Sequence, residues 1–313
     1  MGVNRWLAGL GLAALLCQAQ AADCPPAARA PTAAEATALQ RNATDHGLLW
    51  RITRDGHSSY LYGTLHVGRL AWVAPGPALR QAMASTDTLA LELDLSDRGT
   101  LQQMAAAIAA LPPVRLRAAL QQRLARALAA DCLQDDPGLT AQPAVMQALT
   151  LAVSAGRRDG LDAAYGSEML LLALARGRPV HALETVAQQM AVLLPQTEAE
   201  SLELIDSLLS QLEHDQLRPA LRRIAAAWEQ GRLDELAHYE DWCDCLHSDI
   251  ERRQWQRLTD DRQPQLADGI DALHRAGHRV LAAVGALHMV GPLGLPQLLA
   301  QHGYVVERVT ALP

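Results

Sequence analysis

Two histidines stand in matching local sequence more than two hundred residues apart. Gly63-Thr64-Leu65-His66 runs on into Val67-Gly68, and Gly285-Ala286-Leu287-His288 into Met289-Val290-Gly291. In each, a β-rich run ends in a glycine that lets the backbone turn or approach closely. The histidine three positions on then projects from the carboxyl edge of the strand. Two carboxylates share that setting: Glu92 in Leu89-Ala90-Leu91-Glu92-Leu93-Asp94, and Glu184 after Val180-His181-Ala182-Leu183. A charge inside such a run is costly unless it is paired or bound to metal. A salt bridge to an arginine would satisfy Glu92, and the first turn of a helix would satisfy Glu184. Asp94, two positions beyond Glu92, shares its strand face and is a supporting candidate. Two histidines with one or two carboxylates make a borderline-metal site that leaves a coordination position open for water.

Strands early and late, with helices between, must position these groups. Leu48 to Thr53 and Ser59 to Leu65 are β-rich runs joined across Arg54-Asp55-Gly56-His57-Ser58, a hairpin signal. Thr88 to Leu93, Pro179 to Leu183, Arg279 to Val284 and Tyr304 to Val309 read as further strands. Helices are predicted over Thr100 to Ala110 and Leu116 to Ala130, broken at Pro112-Pro113. Another is predicted from an Asp162 cap to Arg176, ended by Gly177. Thr197 with Glu200 makes a capping box ahead of the stripe Leu202, Ile205, Leu209, Leu212. The alternation argues for an α/β fold with a mixed central sheet, the two Gly-x-x-His half-motifs at strand ends, and a helical insert over about residues 100–260. The remaining histidines, His274 and His278 among them, are scattered and expected mostly to face solvent. The i, i+4 spacing of that pair is interrupted by Gly277.

The chain has 313 residues, half of them hydrophobic, and a formal net charge of −7. It is too apolar for disorder and too acidic for a broad phosphate-binding surface, so nucleic acid is not an expected partner. All 27 basic residues are arginine, which excludes lysine chemistry. Residues 1–21 read as a cleaved export signal: Arg5, an apolar run from Trp6 to Cys17, then Ala19-Gln20-Ala21 with cleavage after Ala21. The run is too short to span a bilayer, so no stable membrane insertion is expected. Residues 22–313 then form one domain, periplasmic or secreted. Cys24, Cys132, Cys243 and Cys245 remain, an even number suited to two disulfides in an oxidising compartment. Joining Cys243 to Cys245 would close a very short ring, so one is expected to pair with Cys24 and the other with Cys132. The rival reading takes Cys243-x-Cys245-x-His247 as a soft-metal clip.

Together these segments resemble the TraB/GumN family. The resemblance rests on Tyr60-Leu-Tyr-Gly-Thr-Leu-His-Val-Gly, the Leu-Glu-Leu-Asp strand, Gly160-Leu-Asp, Leu183-Glu-Thr with Gln188-Gln189, and Val284-Gly-Ala-Leu-His-Met-Val-Gly through Tyr304-Val-Val-Glu-Arg. It runs in order over roughly residues 47–310. That family is related to Tiki-type metalloproteases and grouped with erythromycin-esterase-like and ChaN-like folds. The resemblance implies a metal-dependent, peptidase-like site in which His66 and His288 match the family histidines, Glu92 its acid and Glu184 the acid of the Leu-Glu-Thr motif. Where members carry an Arg-Asn pair this chain has Arg262-Gln263, so the arginine fits and the amide is one methylene longer. Arg262 would hold a substrate carboxylate or orient a glutamate, the alternative being a plain surface arginine.

On that footing the expected cofactor is a divalent ion (Mn, Co, Zn or Fe) on His66, His288 and Glu92, activating water against a peptide or small amide or ester substrate. Glu92 or Glu184 would carry the proton to the leaving group, and the residues leave open which is ligand and which is base. The alternative is a non-catalytic regulatory protein that holds a peptide, haem or metal in the same pocket.

Overall fold

The computed structural model describes residues 24–175 and 177–310, so the expected leader and its cleavage point lie outside it. Six strands form one mixed sheet: β1 (Leu48–Arg54), β2 (His57–Thr64), β3 (Thr88–Leu91), β4 (Val180–Ala182), β5 (Val280–Gly285) and β6 (Val305–Arg308). Their spatial order is β4-β3-β5-β2-β1-β6. β1 and β2 form the expected hairpin, closed at Arg54 opposite His57. The turn consists of Asp55 and Gly56, both with positive φ (50° and 82°), the conformation that an Asp-Gly pair favours in a two-residue hairpin loop. β6 lies antiparallel along the other side of β1.

The remaining pairings position the site. β2 runs parallel to β5, β5 to β3, and β3 to β4, so four neighbouring strands end at one edge of the sheet. β5 (Val-Leu-Ala-Ala-Val-Gly) is buried along almost its whole length, as suits a parallel strand covered on both faces. Helices Pro77–Ser85, Ser167–Ala175, Leu217–Glu229, Gln263–Arg275 and Leu295–Gln301 contribute Leu79, Leu171, Trp228, Ile270 and Leu299 to the core around the sheet.

The segment predicted as a helical insert is partly woven into the sheet. It supplies β4 and, through Leu171, Ala225 and Trp228, part of the central core. Helices Ala118–Ala130, Ala144–Ser154 and Glu198–Glu213 close around a core of their own, in which Leu124, Leu128, Leu151, Ile205 and Leu209 are buried. The Leu202-to-Leu212 stripe therefore finds its partners within the chain. The capping box at Thr197 is half formed: Thr197 Oγ1 accepts from Glu200 N, while the Glu200 carboxylate accepts from Gln196 N. The helix expected from Asp162 to Arg176 is two pieces, Ala163–Tyr165 and Ser167–Ala175, parted at Gly166, where a Cβ would stand 2.6 Å from the carbonyl oxygen of His66.

Two expectations are corrected here. The disulfides are Cys24–Cys132 and Cys243–Cys245. Asp244 takes a left-handed φ of 51°, turning the chain enough to bring the Cα atoms of Cys243 and Cys245 to 5.1 Å, inside the ordinary disulfide span. With both sulfurs bonded to each other, the clip with His247 has no thiolate to offer a metal. His274 does not face solvent. It is fully buried, with Nδ1 2.8 Å from Ser59 Oγ, Nε2 3.1 Å from the Arg54 carbonyl oxygen, and its ring stacked 3.8 Å from that of His57.

Candidate functional site

Five of the residues singled out in the sequence, His66, Glu92, Glu184, His288 and Arg262, stand at the shared edge of β2, β5, β3 and β4. His66 lies just beyond β2, Glu92 immediately beyond β3, Glu184 just beyond β4, and His288 in the turn Ala286–Met289 that follows β5. Parallel pairing is the reason: residues at the ends of neighbouring parallel strands must emerge side by side. Arg262 reaches them from the short turn Asp260–Arg262 that leads into helix Gln263–Arg275.

Arg262 is the hub, and it is 8% exposed. Nε donates to Glu184 Oε1 at 2.9 Å, and Nη2 reaches both Glu184 Oε2 and Glu92 Oε2 at 2.5 Å. Nη1 donates to the Leu258 carbonyl at 3.1 Å and lies 3.2 Å from His288 Nε2. A guanidinium has five N–H donors, and these contacts engage all of them. Of the two roles open to Arg262, the geometry therefore serves orientation of the glutamates and leaves no N–H for a substrate carboxylate. Glu92 is further held by Gly285 N on Oε1 at 2.8 Å and by Gln189 Nε2 on Oε2 at 3.1 Å. The Glu92 carboxylate also fills the place of a side chain at Gly285, where a Cβ would stand 3.3 Å from Oε1.

His66 stands apart with a different partner. Its Nδ1 lies 2.9 Å from Glu168 Oε1, and 75% of its side chain is open while Glu168 is mostly covered. Glu168 opens helix Ser167–Ala175 and is set by pairing between the two loops. Gly68 and Asp162 exchange backbone hydrogen bonds at 2.9 Å, Ser167 N donates to the Leu65 carbonyl at 3.0 Å, and Leu65 N donates to Ser167 Oγ at 2.7 Å.

These surroundings separate the protonation states of the two histidines. The Glu168 carboxylate raises His66 to about 9, so its imidazole is cationic at neutral pH. Burial lowers His288 to about 4, so it is neutral at neutral pH, with Nε2 toward Arg262 and Nδ1 buried without a partner among the described residues. Burial pushes Glu92 upward, but His288 (a cation only below about pH 4), Arg262, His66 and the Gly285 N–H outweigh it and hold the carboxyl at about 2. Burial likewise opposes the Glu168 carboxylate, and His66 overcomes it and holds that group below its ordinary value.

The arrangement does not present the expected ligands as a metal shell. Glu92 already accepts from three N–H groups, and His288 Nε2 faces a guanidinium, so a cation stands where Glu92 and His288 would meet an ion. Among the described residues no three His, Cys, Asp or Glu side chains converge as a ligand set. A divalent ion on His66, Glu92 and His288 would require Arg262 to withdraw from two of them.

The site opens into a cavity of about 630 Å³ lined by His66, Glu92, Glu168, Gln189, Arg262 and His288 together with many apolar side chains. Glu168 and Gln189 escaped the sequence reading as site residues. Gln189 was visible in the Gln188-Gln189 pair, whereas nothing local in Gly166-Ser167-Glu168-Met169 marks a functional acid. Only the pairing of the two loops delivers Glu168 to His66. Asp94, expected to support Glu92, instead accepts from Ser96 N and Oγ at 2.9 and 2.5 Å and shapes the turn after β3. β3 ends at Leu91, so the alternation that placed Asp94 on Glu92's face has stopped.

Among curated proteins and solved structures, none matches this chain. The family profile described as TraB/PrgY/gumN matches residues 48–308, which takes in all six strands and every residue of the site. The chain belongs to the TraB/PrgY/gumN family.

Proposed function

We propose that this chain is an exported hydrolase that cleaves an amide or ester bond at the floor of the cavity, with His66 and Glu168 as its proton-transfer pair. The observation that carries this reading is the open imidazole of His66 held against a covered carboxylate, Nδ1 to Oε1 at 2.9 Å, beside a rigid charged cluster. The ion pair with a carboxylate stabilises the imidazolium and so raises the basicity of His66, whose side chain lines the cavity. In its neutral form His66 takes a proton from water while the hydroxide oxygen bonds to the substrate carbonyl carbon. The tetrahedral adduct then collapses, the carbon–nitrogen or carbon–oxygen bond breaks, and the imidazolium returns the proton to the departing atom. Arg262, Glu92 and Glu184 hold the strand ends in register and set the local field. Glu92 is too weak a base at about 2 to draw a proton from water. No step here depends on a metal ion. Export to the periplasm or beyond agrees with the Cys24–Cys132 disulfide.

The test compares the wild type with His66→Ala and Glu168→Gln on amide and ester substrates, each with and without a chelator, with metal content measured alongside. His66→Ala should lower kcat/KM by about a hundred- to ten-thousand-fold, the usual contribution of a positioned acid–base group. Full activity in His66→Ala, or turnover by no wild-type preparation, would refute the assignment. A stoichiometric ion whose removal abolishes turnover would instead return Glu92 and His288 to the ligand role. One observation favours the second reading, a peptide-, haem- or metal-binding protein without turnover: at neutral pH His66 is mostly imidazolium, a better donor to a carbonyl than acceptor from water. Saturable binding without product would support it.

A further inference from the structure

The walls of the cavity differ in kind from its floor. The polar groups (Thr64, His66, Glu92, Glu168, Arg262 and His288) gather near the strand ends, while the helices contribute Met104, Met169, Leu172, Leu193, Ile224 and Trp255, with Gln189 a polar exception. Exposed large apolar residues are few among the described residues, yet Val153, Met169 and Leu193, 38–47% exposed, all line this one cavity. Solvent-exposed carbon gathered around a polar floor is a feature of ligand sites more than of resting surface.

We propose that the cavity takes a linear aliphatic acyl chain, so that the bond cleaved is the amide or ester at the carbonyl end of a fatty-acyl group. A peptide of equal length would bring an N–H and a C=O at every residue, each needing a partner once water is excluded. The walls offer side-chain carbon, and neither edge strand of the sheet, β4 or β6, contributes a residue to the lining. An acyl chain makes no such demand, and its single carbonyl falls at the polar floor. Two of the wall residues are methionines, whose unbranched thioethers adapt to a chain of variable contour. A volume of about 630 Å³ lies within the usual range for small-molecule sites.

This inference deepens the hydrolytic reading and rests on it for the reacting bond, but not for binding. Two measurements on the purified protein keep them apart. In the first, p-nitroanilides of acetic, octanoic and dodecanoic acids are compared as substrates. Burial of each added methylene is worth about fourfold in kcat/KM, so dodecanoyl should exceed acetyl by several orders of magnitude. Leu193→Asp should flatten that dependence. In the second, Nile red bound to the His66→Ala protein is displaced by dodecanamide, acetamide or tetraleucine amide. Displacement by dodecanamide alone supports the acyl assignment, even where no anilide is cleaved and the hydrolytic reading fails. Equal turnover across the chain-length series, displacement by tetraleucine amide as readily as by dodecanamide, or displacement by neither would overturn it.

Discussion

At the scale of single residues, the two histidines that look alike in sequence have opposite chemistry, and pH separates them. His66 is raised to about 9 by Glu168, whereas burial lowers His288 to about 4. If neutral His66 is the base, kcat/KM should climb about tenfold per pH unit from pH 6 and level off near 9, the slope expected for a single required deprotonation. Glu168→Gln should move that shoulder down toward the ordinary imidazole range near 6.5. A plateau already present at pH 7 in the wild type would rule His66 out as the base. The same groups shape stability. Glu92, lowered to about 2, contributes stability that is present above its unfolded value near 4.5 and lost as pH falls through 2. His66, raised, contributes stability present below its unfolded value near 6.5 and lost as pH rises through about 9. Arg262 supplies a second prediction. Arg262→Leu leaves Glu92 and Glu184 buried together without their cation and should cost about 3–5 kcal/mol in denaturant unfolding at pH 7. Removing the half-exposed partner in Arg51–Glu307 should cost less than about 1 kcal/mol. Similar losses for both would mean that the Arg262 cluster is no more than a surface pair.

At the scale of elements, the loop after β2 carries His66 and must meet the segment carrying Glu168 at a fixed distance. Gly68 sets that distance: a Cβ there would stand 2.0 Å from the Tyr165 carbonyl oxygen, a backbone atom that cannot swing aside. Gly68→Ala should therefore push residues 162–168 away and lower stability by about 1–3 kcal/mol. It should also reduce catalysis beyond what that loss explains, because the His66–Glu168 contact opens. Unchanged melting together with unchanged kcat/KM would show that the loops are held by something else. This is also where the limits of sequence reading lie. Strands β1, β2, β5 and β6 follow local alternation or continuous apolar runs between clear turn signals, and their bounds fall within a residue or two of expectation. The convergence of His66, Glu92, Glu184 and His288 follows from placing each at a strand's carboxyl end, since parallel neighbours must bring them together. Glu168 has no such signal, because its place depends on backbone bonds between loops about a hundred residues apart. The Arg262 hub is half legible: its residue type is apparent, but its engagement with two carboxylates and His288 depends on how helix Gln263–Arg275 meets the sheet.

At the scale of the whole molecule, the two larger of three cores must be held together: the sheet core and the helical cluster around Leu128, Leu151 and Leu209, beside a small cluster of Leu93, Val186, Met190 and Leu194. The cavity lies between contributions from both parts of the chain, since its walls include Val153 from helix Ala144–Ser154 and its floor the strand ends. Cys24–Cys132 ties the start of the described chain to the end of helix Ala118–Ala130, across a sequence separation of 108 residues. In the chain-entropy account a closed loop of that size removes enough freedom from the unfolded chain to be worth about 4–5 kcal/mol. The same account predicts far less from Cys243–Cys245, which spans only two positions. Replacing Cys24 and Cys132 together by serine should thus lower unfolding stability by several kcal/mol, whereas the Cys243, Cys245 double serine variant should stay near wild type. Denaturant titration of both variants, beside the wild type with and without reductant, checks this directly. If the Cys24–Cys132 link acts on the unfolded chain alone, the double serine variant should keep the chain-length dependence and pH profile of the wild type at temperatures where it remains folded. A changed profile with the fold intact would mean instead that the disulfide positions the helical cluster over the cavity.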